Sequence, residues 1–230
     1  MSFGWDEGNR PVASDSTLDW GAGRVSVVWD HPRDGQTYLL LGHGAGGNLH
    51  TPGLSHYARA LAAAGVGAVR FNFPYAEARR KIPDRQPVLE LCFRRVAEQV
   101  QARTERLYLG GRSMGGRIAS HVAAEGFPAL GLVFLSYPLH APGRPERLRS
   151  AHLMKIRVPM LFLHGTRDAF AGPALLQQVI DALPTATVHD IQDADHGLTV
   201  RGRTSEDVTR ELVEVTRQWL ADQGSAARRK

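Results

Sequence analysis

The sequence predicts an α/β architecture, a mostly parallel sheet with helices on both faces, and three observations predict it. Short apolar runs alternate with stretches of helical period along the chain. The runs are apolar nearly throughout rather than at every second residue, as strands covered on both faces must be. No internal repeat and no serine-, proline- or charge-rich stretch divides the 230 residues. They read as a single domain, with about 1–15 and 223–230 as flexible termini.

Residues 17–20 and 25–28 read as antiparallel edge strands. The first parallel strand is 38–41, followed by Leu54, Tyr57, Ala58, Leu61 and Ala62 on one helical face closed by Gly65. A second strand spans 68–73, and after a proline-containing loop a helix carries Val88, Leu91, Cys92, Val96 and Val100. The third strand, 107–109, precedes a helix over about 113–125 that buries Ile118, Ala119, Val122 and Ala123 and stops at Gly126. Strands at 130–135, 159–163 and 187–191 complete the sheet. Between and after the last two lie the stripes Leu175, Leu176, Val179, Ile180, Leu183 and Val208, Leu212, Val215, Trp219. The 23 residues of 136–158 include Pro138, Pro142 and Pro145 and read as a loop with one short helix, not a lid domain.

Composition removes several classes. With 43% hydrophobic and 22% charged residues the chain is neither disordered nor fibrous. Its one cysteine, Cys92, lies in an apolar helical stretch and reads as a small buried hydrophobe, so nothing implies an oxidising compartment. Met1 to Glu7 lack the pattern of a signal peptide and no apolar run is long enough to span a bilayer, which leads to a cytoplasmic expectation with no membrane partner. The net charge of +5 is scattered apart from Arg79-Arg80-Lys81 and Arg228-Arg229-Lys230 and comes with no nucleic-acid motif, so no nucleic-acid partner is expected. Arg79, Arg80, Lys81 and Arg85 form a basic loop, read as solvated rather than substrate-steering.

Chemistry concentrates at strand ends, where ligands sit in such sheets. Gly111-Arg112-Ser113-Met114-Gly115 stands between the third strand and its helix. A serine on a sharp strand-to-helix turn lifts its hydroxyl above the sheet, and the crowded turn wants small residues two positions either side, here Gly111 and Gly115. The alternatives are an ordinary N-cap serine and a phosphate-binding loop. The second fits poorly, because Gly116-Arg117 stand where lysine and serine or threonine belong.

A serine hydroxyl needs a base, and the base an orienting carboxylate. Asp168 follows Ser113 after 55 residues, in His164-Gly165-Thr166-Arg167-Asp168, and His196 follows 28 later, in Asp193-Ala194-Asp195-His196-Gly197. Both fall in strand-end loops on the same sheet edge as Ser113. Asp193 and Asp195 are the backup acids. No two of the ten histidines stand at i, i+3 or i, i+4, so no helical zinc site is expected.

The first strand ends in Gly42-His43-Gly44-Ala45-Gly46-Gly47-Asn48, formally a G-x-G-x-x-G. A dinucleotide site needs its helix to start within the glycines, whereas Pro52 and Gly53 delay it, and Arg70-Phe71-Asn72 stand where an acidic residue belongs. Arg70 beside a 2′-phosphate keeps an NADP-dependent enzyme as a remote alternative. The preferred reading has the Ala45 and Met114 N–H groups as oxyanion donors, with His43 and Gly44 shaping the loop and no cofactor.

In this order, His43-Gly44-Ala45-Gly46, Gly111-Arg112-Ser113-Met114-Gly115, His164 to Asp168 and Asp195-His196-Gly197 resemble the α/β-hydrolase superfamily over about residues 24–222. More narrowly, Arg70-Phe71-Asn72-Phe73-Pro74-Tyr75 and Gly111 to Arg117 are similar to the branch of the testis-expressed hydrolase-like protein and the third subunit of the NSL chromatin complex. Dienelactone-hydrolase-like proteins are similar too, but carry cysteine as nucleophile where this chain has Ser113. The resemblance implies a serine hydrolase with Ser113 as nucleophile, His196 as base, Asp168 as acid and a small-molecule acyl substrate. Some relatives are scaffolds, so an idle binding or assembly module is the alternative. Protein partners and oligomeric state stay open.

Overall fold

The computed structural model describes residues 12–227. Two antiparallel strands, β1 (Ala13–Asp19) and β2 (Arg24–Asp30), lead into six parallel ones: β3 (Thr37–Gly42), β4 (Gly67–Phe71), β5 (Arg106–Arg112), β6 (Leu132–Leu135), β7 (Met160–Gly165) and β8 (Ala186–Ile191). The helices are α1 (Pro52–Ala63), α2 (Pro74–Glu77), α3 (Gln86–Gln101), α4 (Met114–Ala124), α5 (Pro173–Ile180) and α6 (Ser205–Ala227). All eight strands form one sheet in the order β1-β2-β4-β3-β5-β6-β7-β8. The chain leaves β3 toward β4 on one side and returns to β5 on the other, so strand order reverses between β3 and β5. In open α/β sheets the crevice at that reversal is where ligands bind.

Alternation along each strand divides the core. Leu40, Val69, Leu109, Phe134 and Phe162 face α3 and α4, where Phe93, Val96, Ile118 and Val122 meet them. Leu39, Leu41, Tyr108, Val133 and Leu161 face the opposite layer of α1 and α6, built from Leu54, Tyr57, Leu61, Val208 and Leu212. Both faces of the central strands are thus covered, which is why their sequences are continuously apolar. Cys92 is fully buried and burial pushes its thiol up, out of the reactive range. No helix of the described residues is long and apolar enough to cross a membrane.

Several boundaries differ from the sequence reading. β1 begins at Ala13, within the stretch expected to be a free terminus, and Ala13 pairs with Asp30. Its run ASDSTLD carries one buried side chain, Leu18, so its strand character lies in backbone pairing and leaves little hydropathy signal. Likewise α6 continues through Ala227, making 223–227 helical where a flexible tail was expected. The expectations for 1–11 and 228–230 lie outside the described residues. β4 stops at Phe71, because Asn72 turns its side chain to the Leu49 N–H and the Phe73 N–H goes to His43. β6 starts at Leu132, two residues late, since Leu130 is a surface position. The loop over 78–85 is preceded by the single turn α2, and 136–158 holds one 3₁₀ turn, Ala151–Lys155, and no lid domain.

Candidate active site

The turn from β5 into α4 is crowded. A β-carbon on Gly111 or on Gly115 would fall inside the carbonyl oxygen of Gly42, so the start of α4 lies directly on the end of β3. Gly111 also takes φ +148°, a region that suits glycine. Ser113 is held at φ +50°, a costly conformation for a residue with a side chain, with its N–H on the Leu135 carbonyl and its own carbonyl accepting from Arg117 N–H. Its hydroxyl makes no capping bond to α4, which sets aside the N-cap reading.

That hydroxyl meets His196 instead. Ser113 Oγ lies 2.8 Å from His196 Nε2, and His196 Nδ1 lies 2.8 Å from Asp168 Oδ2. The Asp168 side chain is buried, and its other oxygen accepts the Phe170 N–H at 2.8 Å. Since the carboxylate only accepts, Nδ1 carries the imidazole proton and Nε2 is left to accept from the serine hydroxyl. The Phe170 ring packs on the imidazole with centroids 4.4 Å apart. Neither backup acid bonds His196: Asp195 Oδ1 accepts the Gly197 and Thr199 N–H groups, and Asp193 sits at φ +58° with its N–H on Thr166 Oγ1.

The loop after β3 arches over Ser113, a β-carbon at Gly44 lying 3.8 Å from the serine Cβ. Among the described residues, the N–H groups of Ala45 and Met114 donate to no protein acceptor. His43 is fully buried and braces this loop: it donates from Nδ1 to Gly44 O at 2.9 Å, while its Nε2 accepts the Phe73 N–H at 3.2 Å. Burial lowers its pKa to about 4 despite the Gly44 bond, so it is neutral. Tyr75 adds an O–H donated to Gly44 O at 3.3 Å.

Arg70 explains the run that follows β4. Buried to 1% exposure, it pairs with Asp30 at 2.8 Å and donates to Leu49 O and Ser55 Oγ, tying the end of the loop after β3 to the sheet. It therefore does not reach a 2′-phosphate, and α1 starts at Pro52, beyond the glycines. Both findings overturn the NADP alternative. In the basic loop, Arg80 is drawn to Asp84. No group of three or more histidine, cysteine, aspartate or glutamate side chains among the described residues is placed to hold a metal. Sequence reasoning missed Phe170, Tyr75 and Arg112, whose guanidinium donates to the His196 carbonyl at 3.4 Å; only Arg112's place beside Ser113 was a local signal.

A strained serine at a strand-to-helix turn beside a strand-order reversal, facing a histidine–aspartate pair, is the arrangement of the α/β hydrolases. The chain belongs to the alpha/beta hydrolase domain family, whose sequence model matches residues 35–221. It is similar to the dienelactone hydrolase from Anabaena variabilis, at 18% identity over 93% of this chain and 98% of that one, with a TM-score of 0.74. A lidless α/β serine hydrolase from Xanthomonas campestris matches at 23% identity over 90% and 94%, TM-score 0.71. Est1E from Butyrivibrio proteoclasticus matches at 15% identity over 90% and 99%, TM-score 0.72.

Proposed function

We propose that the protein is a serine hydrolase that cleaves a small acyl ester, thioester or related carbonyl compound through an acyl-enzyme. The observation that carries this reading is His196 held between Ser113 and Asp168 by two 2.8 Å contacts. His196 Nε2 takes the proton as Ser113 Oγ attacks the acyl carbonyl, while Asp168 fixes the imidazole and stabilises its charged form. The undonated Ala45 and Met114 N–H groups receive the oxyanion, aided by the positive end of α4. His196 then gives its proton to the leaving group, and water, deprotonated by the same imidazole, releases the acid.

The absence of a lid domain favours short acyl groups over long-chain lipids, which need an extended apolar surface. Within the family we place the chain beside the branch of the testis-expressed hydrolase-like protein and the third NSL complex subunit, on the strength of its Arg70 to Tyr75 and Gly111 to Arg117 runs. Rapid mixing with p-nitrophenyl acetate tests the mechanism. An initial burst of nitrophenol of about one equivalent is expected, absent from Ser113→Ala. Turnover unaffected by Ser113→Ala would overturn the assignment, and a folded protein inert toward esters and thioesters would favour a binding module.

A further inference from the structure

Behind the His196 loop, between the N-terminal turns of α1 and α6, lies a cavity of about 400 Å³. That is within the range of about 300–1,000 Å³ usual for small-molecule sites. Leu54, Tyr57, Leu135, Val208 and Leu212 form an apolar wall, and no aspartate or glutamate lines it. Two arginines do, and they differ. Arg203 is neutralised by Glu211 at 2.7 Å and also donates to Asp207 O. Arg112 makes no ion pair among the described residues; its guanidinium spans from Gly53, where a β-carbon would lie 3.8 Å from Nη1, to the His196 carbonyl.

From the uncompensated Arg112 in an acid-free cavity with one apolar wall, we infer that this site binds a carboxylate carried on a short apolar body. One unpaired guanidinium matches a monoanion, whose two oxygens suit its planar fork; a phosphate dianion would call for a second cation, and Arg203 is already spent. The apolar wall supplies the rest of the binding surface. The carboxylate has two sources: the far end of a substrate whose carbonyl lies on Ser113, or a free acid acting on the His196 loop through the Arg112 contact.

Calorimetric titration with hexanoate at fixed ionic strength decides the site. Saturable one-to-one binding is expected, weakened at least tenfold in Arg112→Gln and in Val208→Phe, which fills the cavity but keeps the guanidinium, and retained in part by Arg112→Lys. Fluorophosphonate labelling of each variant reports whether its fold and Ser113 survive. No saturable binding, or equal affinity in Arg112→Gln, would overturn the inference. Esters then separate the sources, an arm that rests on the hydrolase reading. Competitive inhibition by hexanoate, with a preference for p-nitrophenyl hemisuccinate over the acetate that shrinks at least tenfold in Arg112→Gln, identifies the substrate's own carboxylate. A change in kcat without competition identifies the free acid. Hexanoate binding without any turnover would fault the hydrolase reading and leave the site standing.

Discussion

Three aspartates lie within reach of the His196 loop by sequence, and their oxygens have different partners. Asp168 spends one oxygen on His196 and the other on the Phe170 N–H, whereas Asp195 spends Oδ1 on two N–H groups of its own loop. Asp168→Asn should therefore lower kcat by about 10⁴, the scale of losing the correct tautomer in such triads. Asp195→Asn keeps an acceptor for Gly197 and Thr199 and should stay within about tenfold of wild type. Equal losses in the two variants, measured as kcat on one ester, would contradict this division. Ser113, Asp168 and His196 were legible because each lies in the turn or loop that follows a strand and the fold collects strand ends on one edge. Arg70, Tyr75 and Phe170 were not. Arg70 reads as a candidate phosphate ligand until its partner Asp30, forty positions away, is seen buried beside it.

At the scale of elements, the nucleophile's position depends on how closely α4 sits on β3. Gly115→Ala would drive a methyl into the Gly42 carbonyl and lift the helix that carries Ser113. It should destabilise the protein by about 3 kcal/mol, the upper range for overpacking. Gly172→Ala is the control: it has no neighbour within 4 Å and φ of −55°, and should shift stability by less than about 0.5 kcal/mol. Urea unfolding compares them, and indistinguishable midpoints would refute the close-approach argument. The central strands and amphipathic helices were readable from periodicity because both faces of the sheet are covered. β1 was read short and the end of α6 was missed, because a polar edge strand and the run Asp222-Gln223-Gly224-Ser225 carry no apolar period.

For the whole molecule, buried and half-buried histidines couple stability to pH. His43 and His121 are lowered to about 4 and His152 to about 3, in each case first by burial, with Arg117 adding repulsion at the last two. His121 and His152 stack with centroids 3.6 Å apart, and Ser120 Oγ lies 2.8 Å from His152 Nε2. Unfolded, these groups titrate near 6.5, so between 6.5 and about 3–4 the unfolded chain binds more protons than the native one. Their contribution is complete above pH 6.5 and is lost as pH falls through that window. The urea midpoint should drop from pH 6.5 to 4, less steeply in His152→Gln. A flat profile over that range would contradict the neutral state of these rings.

The central claim is an activated serine at the β5–α4 turn, and its most direct test is labelling of the folded protein with a fluorophosphonate probe, located by peptide mass spectrometry. Saturable modification at Ser113, abolished by heat denaturation, is the predicted result. A folded protein that stays unlabelled while a known serine hydrolase reacts beside it would contradict the account.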